Sequence, residues 1–198
     1  MSTTSAQDKA NPPPRDNFNT PRTDDTTNTW ITPLSLIQAL GTFDLDPCCP
    51  PTMPWRTATE MHHYPDMGCG LQRDWCDSRC WINPPYGEHT FKWMRKFAEH
   101  KRGIALIFAR TDTKGFHDHV FSSARAIYFL KGRVKFHRED GTCPKNGPAA
   151  ASCLIAHTEE DTAAILASGL PGFLMTPGNC QPPAPLLEKG TTFDGASP

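Results

Sequence analysis

No apolar run in the 198-residue sequence approaches the roughly 18 residues a membrane span requires. The first residues, MSTTSAQDKANPPPRDN, also lack the apolar stretch of a secretory signal. These absences predict a soluble, cytoplasmic protein with no membrane partner. A large net charge is missing as well: 20 Lys and Arg oppose 21 Asp and Glu, so the whole-chain balance of −1 announces no polyanionic partner. Glycine is outnumbered by proline, 14 to 20, which points to unusual loops or tails. The eight cysteines would suit a disulfide framework in a small exported chain, but without an export signal they are expected to stay reduced. No internal repeat is present.

What is there is enough apolar residue, 37%, for one globular domain. Residues 1–27 carry Ser, Thr, Asn, Asp and Pro with Phe18 as the only large apolar side chain, too little to offset the entropy of ordering them. Residues 178–198 have the same character, with Leu186 and Leu187 the only apolar pair. Both are expected to be disordered, leaving residues 28–177 as the folded unit. Within it, short apolar runs alternate with segments of helical period, the pattern of an α/β domain.

Thr32-Pro33-Leu34 predicts a helix start, Thr as cap and Pro at the first helical position, with Leu34, Ile37 and Leu40 on its inner face up to Gly41. Strands are expected at 43–46, 80–83, 103–109, 126–130 and 152–157, with a shorter one at 60–64. Helices are expected at 90–101, facing inward with Phe91, Met94, Phe97 and Ala98, and at 113–123, with Phe116, Val120 and Phe121. Strand, helix, strand order implies parallel neighbours and right-handed crossovers, hence a mostly parallel central sheet.

Trp81-Ile82 followed by Asn83-Pro84-Pro85-Tyr86-Gly87 puts a polar side chain at the carboxyl end of a buried strand, where open α/β sheets bind ligands. Proline fixes its own φ and restricts the residue before it, so two in succession make the Asn83 side-chain oxygen and the Pro84 carbonyl a rigid pair of acceptors. Such a pair can grip the hydrogens of an exocyclic amine on a nucleobase and favour a more tetrahedral, more nucleophilic nitrogen. A base in duplex DNA must flip out to reach it, and Tyr86 is expected to stack on the extruded face.

Six segments in order then carry a resemblance: Trp30-x-Thr32-Pro33; Phe43-Asp44-Leu45-Asp46-Pro47-Cys48; Gly70-Leu71 with Asp74-Trp75; Asn83-Pro84-Pro85-Tyr86; Ala109-x-x-Asp112-Thr113; and Gly132-Arg133-Val134-x-Phe136. Together they resemble phage-type Dam-like DNA N6-adenine methyltransferases over most of residues 30–158. The resemblance implies a Rossmann-like fold that uses S-adenosylmethionine, with Asn83, Pro84, Pro85 and Tyr86 as the catalytic loop. It implies that Trp30, Thr32, Pro33, Asp44, Asp46, Pro47, Cys48 and Asp74 lie around the cofactor, and that the setting is a host cytoplasm if the chain is phage-encoded. Asn at the first loop position is usual for adenine enzymes, whereas N4-cytosine enzymes more often carry Ser. The Gly-x-Gly expected after the first strand is replaced here by Asp46-Pro47-Cys48-Cys49-Pro50.

Charge is unevenly spread: residues 89–145 hold thirteen Lys or Arg against five Asp or Glu. Lys92, Arg95 and Lys96 on the helix after the loop, Arg110, and Lys131, Arg133 and Lys135 around an expected hairpin are candidate phosphate contacts. Loops 111–115 and 139–149 are candidates for touching bases. DNA is thus the expected partner, and no obligate protein partner is evident. The alternative readings are an N4-cytosine enzyme and a non-catalytic DNA-binding relative. Zinc held among Cys48, Cys49, Cys69, Cys76, Cys80, His62 and His63 would stabilise the latter, but Cys76 and Cys80 satisfy the Cys-x2-4-Cys spacing without a second pair of that form, and no metal site is assigned.

Overall fold

The computed structural model describes residues 30–63, 69–87, 89–144 and 150–177. The expected arm at 1–27 and tail at 178–198 lie outside these residues, as do Tyr64 and the 145–149 part of the second loop.

After Trp30 the chain enters helix α1 (Leu34–Ala39), strands β1 (Leu45–Cys49) and β2 (Glu60–His63), and the short helix α2 (Cys69–Gln72). Strand β3 (Cys80–Ile82), helix α3 (Thr90–His100) and strand β4 (Gly103–Phe108) follow. A short helix α4 (Lys114–Phe116) continues into a π-helical turn at His117–Phe121 before β5 (Ala126–Leu130). Strand β6 (Ser152–Ala156), helix α5 (Glu159–Ala167) and strand β7 (Gly172–Met175) are the last elements among the described residues. The seven strands form one sheet in the order β2-β1-β3-β4-β6-β5-β7.

The sheet is mixed rather than mostly parallel. β2, β1, β3 and β4 pair in parallel, whereas β4–β6, β5–β6 and β5–β7 are antiparallel. A parallel return needs a crossover element, usually a helix. The described residues between β5 and β6 contain none, so β6 comes back antiparallel and wedges between β4 and β5.

Alternation along the strands divides the core into two layers. Cys80, Ile82, Ala105, Ile107, Ile127 and Ile155 pack with Trp93, Met94 and Phe97 of α3 and with Phe116 and Val120. Trp81, Ile104, Leu106, Ala126 and Leu154 pack on the opposite face with Leu36, Ile37 and Leu40 of α1 and Ile165 of α5. The result is one compact α/β domain with helices on both sheet faces.

Local details depart from the sequence reading. Pro33 is the N-cap of α1 and no side chain caps that helix, so Thr32 is released from the capping role. Helix α3 is rotated so that Trp93 is buried while Phe91 is only half-buried. The expected hairpin around 131–138 is instead an extended segment whose His137 forms a two-residue antiparallel bridge with Ile31. Helix α5 is an element the periodicity does not announce, although Thr158 caps it, accepting from the Asp161 amide at 3.0 Å. Strand β7 is a second such element.

Candidate active site

β3 stops at Ile82, and Asn83, Pro84 and Pro85 then line a cleft of about 560 Å³, measured with its open mouth. Trp30, Ile31 and Thr32 from the segment before α1, Asp46 and Cys48 from β1, and Met53 and Thr57 from the irregular stretch after β1 also line it.

The Asn83 amide is held at both ends. Its Nδ2 donates to the Trp30 carbonyl at 2.6 Å, and its Oδ1 accepts from the Tyr86 hydroxyl at 3.1 Å. Among the described residues the Pro84 carbonyl accepts no hydrogen bond. Thr90 locks the loop to the following helix, donating to the Pro85 carbonyl at 2.9 Å and accepting from the Gly87 amide at 3.1 Å. Tyr86 is stacked on Phe108, centroids 3.9 Å apart and planes 22° apart, and meets Phe136 edge-on at 6.1 Å. Burial pushes its phenol well above its ordinary range, so it stays a donor.

The segment from Trp30 to Thr32 is tied down three times. Besides the Asn83 contact, Ile31 exchanges backbone hydrogen bonds with His137 at 3.0 and 2.9 Å, and Trp55 donates from its indole nitrogen to the Thr32 carbonyl at 3.0 Å. Thr32 itself is 1% exposed, and its hydroxyl has no partner. An unsatisfied buried hydroxyl of this kind is unusual in a folded protein.

Asp46 is the buried charge of the cleft. Its two oxygens accept from the Cys48 amide at 3.1 Å and the Thr57 hydroxyl at 2.5 Å. Desolvation outweighs these contacts and the nearby His62, and pushes the carboxyl up to about 6. Asp44 stands apart: it lies before β1, exposed, and accepts from the Arg79 amide at 2.8 Å. Asp74 is also exposed and accepts from the Cys76 amide two residues on. Neither Asp44, Asp74, Pro33 nor Pro47 lines the cleft.

The Gly70-Leu71 and Asp74-Trp75 segments have a packing role. A Cβ on Gly70 would stand 1.9 Å from the Pro47 carbonyl oxygen and 2.7 Å from the Trp93 ring, so only glycine lets α2 approach β1. Buried Trp75 donates to the Gly70 carbonyl at 2.8 Å and lies parallel to Trp93.

The basic residues fall into two groups. Lys96 turns inward: its ammonium donates to the carbonyls of Gly70 at 3.1 Å, Leu71 at 2.8 Å and Arg73, and sits over the Trp75 ring. That engagement removes it from the phosphate-contact set. Arg95 pairs with Glu99 at 3.2 Å on the exposed side of α3, and Lys92 and Arg110 are exposed. Along the extended segment, Arg133 and Lys135 are exposed while Val134 and Phe136 are buried, and Lys131 is exposed as well. Phe136 touches Tyr86, so this basic row borders the loop.

Sequence reasoning missed Thr57, Met53 and Trp55, which lie in the stretch without periodicity, and Phe108, which read only as strand core. Thr90 had a legible signal, a hydroxyl at a helix start just after the prolines. For zinc, the described residues place no group of three or more His, Cys, Asp or Glu side chains as a metal shell. Burial pushes the Cys49, Cys80 and Cys153 thiols up to about 12, so in the protein alone they stay protonated.

A family model described as DNA N-6-adenine-methyltransferase (Dam) matches residues 19–168, a span that includes every residue lining the cleft. The chain belongs to the Dam family. No curated protein and no solved structure gives a match. The Dam family is one of DNA methyltransferases, so membership supports an enzyme whose substrate is DNA. No helix among the described residues is long and apolar enough to cross a membrane.

Proposed function

We propose that the chain transfers a methyl group from S-adenosylmethionine to N6 of adenine in DNA, on a Rossmann-like methyltransferase fold with residues 83–86 as the reacting loop. The observation that carries this reading is the Asn83 amide. Its nitrogen is spent on Trp30, and its oxygen keeps one lone pair beyond the bond from Tyr86, beside the unbonded Pro84 carbonyl.

The cleft residues fit the amino-acid end of the cofactor. The carboxylate of Asp46 suits an ammonium, and the orphaned Thr32 hydroxyl can donate to a carboxylate. When bound, S-adenosylmethionine supplies an electrophilic methyl on a sulfonium. Trp30, Cys48 and Met53 line the same cleft and shield the bound group from water.

Asn83 Oδ1 and the Pro84 carbonyl accept the two hydrogens of the adenine amine and hold its lone pair toward the cleft. In-line placement alone can contribute on the order of 7 to 11 kcal/mol at best. The base reaches the loop by flipping out of the duplex, and Tyr86, backed by Phe108, stacks on it with its other face. Lys92, Arg95, Arg110, Lys131, Arg133 and Lys135 contact the phosphates.

Incubation with labelled S-adenosylmethionine and unmethylated DNA is expected to label adenine at N6. Label on cytosine N4 would overturn the choice of base, and absence of label would favour a non-catalytic DNA-binding role. Asn83→Ala is expected to lose transfer while cofactor affinity survives; unchanged turnover would remove Asn83 from the chemistry.

A further inference from the structure

We propose that Tyr86 is a positioning residue that acts through its hydroxyl, fixing the orientation of the Asn83 amide, and that Phe108 is the seat that aims it. This rests on the reading of Asn83 as the amine acceptor and assigns the phenol a task separate from stacking on a base.

An asparagine amide has two orientations of nearly equal shape and opposite function. In one it offers an acceptor to the substrate amine, and in the other it offers a second donor, which repels it. The Trp30 carbonyl decides between them here, and the Tyr86 hydroxyl holds the amide in the orientation it sets. The Trp30 carbonyl can only accept, so Nδ2 faces it at 2.6 Å. The opposite end then meets the Tyr86 hydroxyl at 3.1 Å, which donates to Oδ1. Its raised pKa keeps that proton in place across the working pH range.

The hydroxyl reaches Oδ1 because the ring cannot wander. Phe108 ends β4, next to the strand that carries Asn83, and its ring covers one Tyr86 face at a centroid distance of 3.9 Å. Phe136 closes on the same pair from the side, at 6.1 Å from Tyr86 and 6.4 Å from Phe108. The three rings belong to three separated stretches of chain, so the aim of the hydroxyl is set by the tertiary fold.

Tyr86→Phe keeps the ring and removes only the hydrogen bond. Its kcat is expected to fall about three- to tenfold, the effect of one ordinary hydrogen bond, with KM for DNA and cofactor affinity unchanged. Phe108→Leu is expected to lower kcat similarly, and the double variant to be no slower than the slower single, because both changes break one device. Replacing Tyr86 with p-aminophenylalanine restores a donor at the same place and is expected to recover most of the missing kcat.

An unchanged kcat in Tyr86→Phe, a loss appearing only in KM, additive effects in the double variant, or no rescue by the amino analogue would each overturn the proposal. Thermal melts establish that each variant is folded, and the rescue compares two proteins of one shape. Wild-type protein is assayed first. If it labels no adenine, the functional reading fails by itself, whereas an active wild type with an equally active Tyr86→Phe defeats only this inference.

Discussion

Asp46→Asn should move stability and cofactor affinity in opposite directions. Burial raises the Asp46 carboxyl from 3.8 to about 6 in the folded chain. A carboxyl raised in this way costs nothing well below its unfolded value of 3.8, where both folded and unfolded chains hold the proton. As pH rises from about 4 through 6 the unfolded chain ionises first, and stability is lost; the full cost, about 3 kcal/mol, is reached near neutrality. The neutral amide removes the buried charge, so Asp46→Asn is expected to melt higher than wild type at pH 7, with most of the advantage gone at pH 4. It recovers only part of that energy, because the amide cannot accept equally from Thr57 and the Cys48 amide. In exchange the cofactor's ammonium loses its counter-charge. Neither end of a free amino acid titrates strongly between pH 5 and 7, so in wild type the slope belongs to the protein. With the carboxylate form alone competent, the wild-type Kd for S-adenosylmethionine should weaken about tenfold from pH 7 to pH 5, as expected for a group of pKa about 6. Calorimetric titration at both pH values checks this. A flat wild-type profile would refute the pairing, and so would a slope that persists in Asp46→Asn.

Gly70→Ala places a methyl group 1.9 Å from the Pro47 carbonyl oxygen, so α2 must move off β1. A loss of roughly 2 kcal/mol or more is expected in denaturant melts, within the range for overpacking, and a melt equal to wild type would show that α2 is free to shift. The basic row separates from Lys96 by salt. Replacing Lys131, Arg133 and Lys135 with Gln is expected to reduce the slope of log K for DNA against log salt by about 0.9 for each phosphate no longer neutralised, with little change in melting. Lys96→Gln is expected to do the reverse, lowering the melting temperature through the Leu71 and Arg73 carbonyls it releases while the salt slope stays. Equal slopes in the two proteins would remove the row from the DNA face.

These contrasts show which parts of the molecule were readable in a line of residues. Local chemistry was: two prolines after a buried strand announce a rigid turn, and the cleft does lie where Asn83, Pro84 and Pro85 leave β3. Apart from β7, the strands were found to within a few residues as short apolar runs. Sheet direction was not, because an apolar run reads the same for a strand running either way. What decides it is that the described residues between β5 and β6 contain no crossover helix, although the length of that connection alone would have allowed one.

The motif residues divide for a related reason. The resemblance runs through Trp30, Thr32, Asp46 and Asn83 and through Gly70, Asp74 and Trp75 alike, without saying what each of them does. The fold separates the two groups. The first group lines the cleft, whereas Gly70 and Trp75 bring α2 against β1, and Asp74 turns the chain between them and β3. Lys96 makes the same point from the opposite side: its charge suggested a phosphate, but its position above Trp75 and three carbonyls makes it the closure of α2. Charge and motif therefore narrow the set of residues that matter, and the neighbours each one meets across the fold decide whether it acts on a ligand or on the frame that holds it.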